Sequence, residues 1–170
     1  MTNIRRYYIP NAIYFITCVT YQRKDLFSAP ENISLFWEIF KNIKRIYPHK
    51  LYAHVLIYDH FHFLIMPKQD NISALMKSLK DNFSRQYKKM WSFKNNIRIW
   101  QYRFWDHIIR NEEDFRRHFD YIHYNPVKHR IVSKPEDFNQ SSFNFWLKKG
   151  VYQIGWEHTF EKELEKMNFE

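Results

Sequence analysis

The order in which hydrophobic periods change along this chain constrains its fold more than any other feature. Residues 12–23, "AIYFITCVTYQR", are dense in β-branched and aromatic side chains and predict a strand. In residues 30–48, bracketed by Pro30 and Pro48, Leu35, Ile39, Ile43 and Ile46 recur at helical spacing, with Phe36 and Phe40 beside them. Residues 50–67 predict two short strands turning near Tyr58-Asp59. Residues 71–91 give a second helix, striped by Leu75, Leu79, Phe83 and Tyr87 and ringed by lysine and arginine. A fourth strand is expected over 99–110 and a third helix over 111–126, ending where Pro126 disfavours helical geometry at Asn125. The resulting β-α-β-β-α-β-α order predicts an α+β fold of the ferredoxin-like, split βαβ kind, an antiparallel sheet with helices on one face. Residues 1–145 are read as one domain. Residues 146–170 are read as an extension that packs on it or wraps it, with a final short helix in "TFEKELEKM".

Composition narrows the partner. Lys and Arg number 27 against 18 Asp and Glu, a net charge of +9 and a pI near 9.5, which points to a polyanion. Aromatics, with 16 Phe, 12 Tyr and 6 Trp, make up 20% of the chain. Rings interleaved with cations suit single-stranded nucleic acid, where bases stack and phosphates sit on charge; a core built from aromatics is the simpler account of many of them. The only glycines, Gly150 and Gly155, come late, so no phosphate-cradling glycine loop exists and no nucleotide cofactor is expected. Cys18 is the single cysteine, which excludes an intrachain disulfide and a cysteine-based zinc site and fits a reducing cytoplasm. No apolar run reaches the ~18 residues of a membrane span.

Within residues 59–67, "DHFHFLIMP", His60 and His62 alternate with Phe61 and Phe63. On a strand, positions two apart share a face. Two imidazoles therefore point one way, able to chelate one divalent ion or to stand as plain surface histidines, while Phe61, Phe63 and Ile65 point into a core. In the last helix Asn111 is a good N-cap, followed by Glu112, Glu113 and Asp114 at the positive end of the helix. Phe115, Phe119 and Ile122 form an apolar stripe, beside which Asp114, His118, Tyr121 and Asn125 form a polar one. Tyr121 and Asn125 stand one turn apart, either a nucleophile with a ligand or a core-edge tyrosine with a helix cap.

"HFHFLIMP", together with "FWDHIIRNEEDFRRHFDYIHYNPVKHRIV", resembles the REP-associated tyrosine transposases, relatives of the single-tyrosine HUH transposases. "RRYYIP" and "YFITCVT" are similar too, so the resemblance runs from about residue 4 to residue 145. It implies Tyr121 as the nucleophile. It implies His60, His62 and Asn125 as ligands of Mg²⁺ or Mn²⁺, the wider superfamily often having Gln at the third position. It also implies an activity that cuts and rejoins single-stranded DNA, often at REP-type hairpins, by a monomer or a homodimer. The departures are "YDH" where a "PEH"-like turn is commoner and Arg130 where Gly is usual, which alters the turn after the helix and adds a positive charge.

Such a chemistry suits the residues. A tyrosine, with an unperturbed pKa near ~10, is a poor nucleophile at neutral pH without a cation nearby. Two imidazoles and an amide oxygen, with no thiolate, form a donor set for Mn²⁺ or Mg²⁺. Candidate DNA contacts are Arg5, Arg6, Arg103, Lys128 and the basic set around 83–89. The rival readings are a nuclease in which water attacks and Tyr121 only packs, and a hairpin binder without chemistry.

Overall fold

The computed structural model describes residues 9, 11–68, 71–156, 164, 166 and 167. Its elements are β1 (Tyr14–Val19), α1 (Pro30–Ile43), β2 (His49–Ile57), β3 (His60–Pro67), α2 (Ile72–Met90), β4 (Trp105–Ile108), α3 (Glu112–Lys128) and α4 (Phe143–Lys148), with short 3₁₀ turns between them. The strands form one antiparallel sheet in the order β2-β3-β1-β4. This is the split βαβ topology expected: β3 lies between β1 and β2, and α1 makes the crossover.

Local chemistry accounts for the helix starts. The Asn71 side chain accepts a hydrogen bond from the Ala74 amide at 2.8 Å, capping α2. Asn111 does the same for the Asp114 amide at 2.8 Å, so α3 begins where the capping pattern predicts. The stripe Leu75, Leu79, Phe83 and Tyr87 of α2 is buried. In α1 the buried apolar set is Phe36, Ile39, Phe40 and Ile43, whereas Ile46, expected in the stripe, lies beyond the helix end and is 67% exposed. The fourth strand is shorter than its hydrophobic run: residues before Trp105 form a loop that meets the end of β1 at a bridge between Thr20 and Trp100.

The helices do not all lie on one face, and the expectation is corrected in that detail. Tyr14, Ile16, Cys18, Phe61, Phe63 and Ile65 face α1 and α2 in one aromatic-rich core. Phe15, Val55, Leu64, Phe119, Ile122 and Tyr124 form a second core in which α3 covers the opposite face. The physical reason lies in β1, every residue of which is buried. A strand apolar on both sides needs cover on both sides.

Pro126 does not end α3 either. The helix runs through it to Lys128, and His129 N–H bonds to the Asn125 carbonyl at 3.0 Å. A proline removes its own N–H from the ladder and its ring crowds the carbonyl four residues back, yet here the buried face of α3 carries the helix past it. Asn125 therefore sits within the last turn, and Lys128 shares its helix with Tyr121.

Beyond α3, a buried polar chain ties the following segment down. His123 Nε2 lies 2.7 Å from Ser142 Oγ, His123 Nδ1 lies 2.9 Å from Tyr152 Oη, and Tyr152 donates to Asp120 at 2.8 Å. Trp146, Leu147, Trp156 and Met167 pack against the α3 core. Most of "TFEKELEKM" lies outside the described residues.

Candidate active site

β3 pairs with β1 so that His60 faces Val19 and His62 faces Thr17. Because α3 covers this face, both imidazoles are fully buried, as are Tyr121 and Asn125. The His60 and His62 ring centroids are 4.9 Å apart. The ring of Tyr121 meets that of His62 edge-on at 5.4 Å, and Phe15 packs against both. The sheet and α3 thus bring His60, His62 and Tyr121 together, with Asn125 one helical turn from the tyrosine on α3.

Each imidazole is oriented through Nδ1. His62 Nδ1 lies 2.9 Å from Thr17 Oγ1. His60 Nδ1 lies 2.6 Å from Asp59 Oδ1, while Arg23 donates to Asp59 Oδ2 at 2.9 Å. Burial pushes the Asp59 carboxyl up, but the hydrogen bonds and charges of His60 and Arg23 outweigh it and hold the group below its ordinary value. With Nδ1 so engaged, Nε2 is the nitrogen each ring offers to the interior, and these atoms and Asn125 Oδ1 are all buried. Two imidazole nitrogens and an amide oxygen, each ring fixed by a neighbour on its far nitrogen, are a donor set of the chemical kind that could hold a divalent cation. Sequence reasoning missed Thr17, Arg23 and the part played by Asp59. The "YDH" departure carried the signal for Asp59, since an acidic side chain next to an imidazole is a common orienting partner.

The Tyr121 hydroxyl accepts a hydrogen bond from Lys128 Nζ at 3.1 Å, and the same ammonium stands 4.8 Å from the ring centroid. Lys128 Nζ also donates to the Met167 carbonyl at 2.8 Å. Cys18, the single cysteine, faces the opposite core, and burial pushes its thiol up to about 12.

Beside this site lies a further cluster. His107, Asp114 and His118 bring ligand atoms within 4.8 Å of one another, a group that could hold a metal ion. His107 Nε2 is 2.8 Å from Asp114 Oδ2, His118 Nδ1 is 3.1 Å from Asp114 Oδ1, and the rings stack at 4.7 Å. Burial raises the Asp114 carboxyl, but the His107 hydrogen bond, the Arg110 amide and the nearby imidazoles keep it below its ordinary value. Burial also lowers His118, outweighing its bond to the Asp114 carbonyl.

Of the expected DNA contacts, Arg103 is exposed on the loop before β4. It lines a groove of about 1190 Å³ with Lys77, Lys80, Tyr102, Trp105 and Arg110. Tyr102 is 82% exposed there, so its ring face is open to solvent. Lys128 is half-buried on the tyrosine, and Arg5 and Arg6 lie outside the described residues. Among the described residues no helix is long and apolar enough to cross a membrane.

Comparison with known proteins agrees with this geometry. Residues 8–125 match the family model described as "Transposase IS200 like". An Escherichia coli K12 REP-associated tyrosine transposase is 35% identical over 158 residues, covering 92% of this chain and 91% of its own. A Haemophilus influenzae protein named for the same group is 35% identical over 165 residues, covering 92% and 93%. A REP-associated tyrosine transposase solved bound to a REP hairpin superposes with a TM-score of 0.78 at 33% identity, covering 92% of this chain and 91% of that one. A Deinococcus radiodurans transposase candidate, at 18% identity and a TM-score of 0.50, covers 68% of this chain and 90% of its own and shares the fold alone. A buried histidine pair facing a helix-borne tyrosine, on a fold and sequence shared over nine-tenths of the chain, places this protein in the IS200-like transposase family, DNA-acting enzymes, among the REP-associated tyrosine transposases.

Proposed function

We propose that this protein is a metal-dependent transesterase of single-stranded DNA that cuts and rejoins strands at hairpin, REP-type elements, with Tyr121 as the nucleophile. The observation that carries this reading is the contact of Tyr121 with His62, one turn from Asn125, across the interface of α3 and the sheet. The fold holds a phenol beside the histidine pair, and a water-using nuclease has no need of that phenol. His60, His62 and Asn125 would hold Mg²⁺ or Mn²⁺. When bound, the ion supplies positive charge to a phosphate oxygen and to the developing charge of the attack.

The residues divide the remaining work. Tyr121 Oη attacks the phosphorus; the P–O3′ bond breaks as the O–P bond to tyrosine forms. The product is a 5′-phosphotyrosine and a strand ending in a 3′-hydroxyl, which carries the phenolic proton in the net balance. One phosphodiester replaces another, so the step reverses without ATP and a second 3′-hydroxyl can resolve it. Asp59 and Thr17 keep the imidazoles in register, and Phe15 meets the tyrosine ring edge-on. The groove with Arg103, Lys77, Tyr102 and Trp105 offers phosphate contacts and stacking faces for the flanking strand. We read residues 1–145 as the unit that carries this chemistry, acting in the cytoplasm.

The test is cleavage of single-stranded oligonucleotides bearing REP-type hairpins in Mn²⁺. Tyr121→Phe should bind the hairpin as tightly as wild type and cleave none of it. Cleavage by that variant at the wild-type rate would establish water as the nucleophile and overturn the proposal.

A further inference from the structure

The charge map of the sequence places Lys128 among the DNA contacts, but its position assigns it other work. Lys128 is the last residue of α3, two turns beyond Tyr121 on the same side of the helix. Its ammonium lies 3.1 Å from the phenolic oxygen and 4.8 Å from the ring centroid, so the side chain folds back over the tyrosine. A second donor of the same group is held by the Met167 carbonyl at 2.8 Å. A lysine that serves as a general phosphate contact keeps its head in solvent on a mobile stem. This one is half-buried and fastened at two points.

We infer that Lys128 is a positioning residue for Tyr121, its ammonium fixing the direction of the phenolic oxygen and favouring negative charge on it, and that it is not a DNA phosphate contact. The inference rests on Tyr121 being the nucleophile. A phenol on a packed ring still rotates about its C–O bond; a donor on one lobe of the oxygen leaves another lobe directed away from the lysine, toward an incoming phosphorus. In the rejoining step the same oxygen leaves phosphorus with negative charge, and a cation already in place costs no reorganisation. The capacity for this contact comes from the helix continuing through Pro126, because a helix stopped at Asn125 would not carry residue 128 on the tyrosine's side.

The experiment uses the full chain, a hairpin oligonucleotide with single-stranded flanks, and Mn²⁺. Hairpin affinity is titrated at two salt concentrations, and cleavage is followed as a single turnover with protein in excess. Lys128→Met keeps the stem and removes the charge and donors. It should bind with wild-type affinity and salt dependence, while the single-turnover rate falls roughly 10- to 100-fold, as for loss of a charge-assisted hydrogen bond. Lys128→Arg should recover most of that rate, and Lys128→Gln should fall between. A wild-type rate in Lys128→Met overturns the inference. So does weakened binding with a salt slope reduced by about one and an unchanged saturating rate, the behaviour of a lost phosphate contact. Loss of hairpin binding in all three variants also contradicts it, since Lys128 is placed off the DNA. Tyr121→Phe is run alongside: if it cleaves, the nucleophile assignment fails first, whereas if it is dead and Lys128→Met is normal, only the lysine's role fails.

Discussion

Arg130 stands in the left-handed region, at φ 56, immediately after α3. Its amide bonds to the Val127 carbonyl at 2.8 Å and the Ile131 amide to the Pro126 carbonyl at 2.9 Å, so the turn that closes the helix depends on this conformation. An L-residue with a Cβ is disfavoured there by roughly 1–2 kcal/mol, and glycine is not. Glycine also gives the unfolded chain more freedom, which returns about 0.4–1 kcal/mol of that gain. Arg130→Gly should therefore stabilise the fold by about 0.5–1 kcal/mol. In a chain of 170 residues this raises Tm by about 2 °C. Arg130→Ala is the control: it removes the same exposed side chain but keeps the Cβ, so it should leave Tm within about 1 °C of wild type. Thermal unfolding followed by circular dichroism reads both. A fall in Tm for Arg130→Gly, or an equal rise for Arg130→Ala, would refute the argument, the first by showing that the Arg side chain stabilises more than the backbone conformation costs.

Two other outcomes follow from named contacts. Asp59→Ala removes the group that orients His60 through Nδ1; Mn²⁺ affinity measured by titration calorimetry should fall roughly 10- to 100-fold, and unchanged affinity would separate Asp59 from the ligand set. Stability should fall as pH drops from about 6.5 to about 4. Burial lowers His54 to about 4 and His123 well below its ordinary value, so the unfolded chain binds protons in that window that the folded one rejects. Asp120, raised to about 6 by burial against the Tyr152 bond and the Arg116 charge, works the other way, since its folded form holds the extra proton as pH falls. One carboxyl roughly offsets His54, which leaves His123, with His49 and His118 lowered by burial in the same direction, to set the sign, and a Tm that is flat or rising toward pH 4 would contradict it.

Much of the fold was legible because single elements carried their own signals. Leu75, Leu79, Phe83 and Tyr87 keep one helical stripe along α2, and Asn71 and Asn111 mark their helix starts chemically. The pairs His60/His62 and Tyr121/Asn125 were legible as side chains sharing a face because each pair is local in sequence, whereas the roles expected of them came from the family resemblance. The division of helices between the two faces was not read, although "YFITCV" shows the continuous run of a strand buried on both sides. The end of α3 was misread because the bias against helix before proline is a preference of one residue. Packing of Phe119, Ile122 and Tyr124 against the sheet sustains the helix past it. Thr17 with His62, separated by 45 residues, and Lys128 with Met167, separated by 39, are contacts made only by the tertiary fold, so no local pattern announces them.

The central claim is that Tyr121, and no other residue, becomes joined to DNA. The direct measurement is mass spectrometry of protease digests after the protein has reacted with a hairpin-bearing single strand in Mn²⁺ and the free strand has been removed. The account predicts one modified peptide, spanning Tyr121, with an added 5′-phosphorylated oligonucleotide, and its absence in Tyr121→Phe. An adduct on Tyr124 or any other residue, or cleaved strands with no adduct at all, would contradict it.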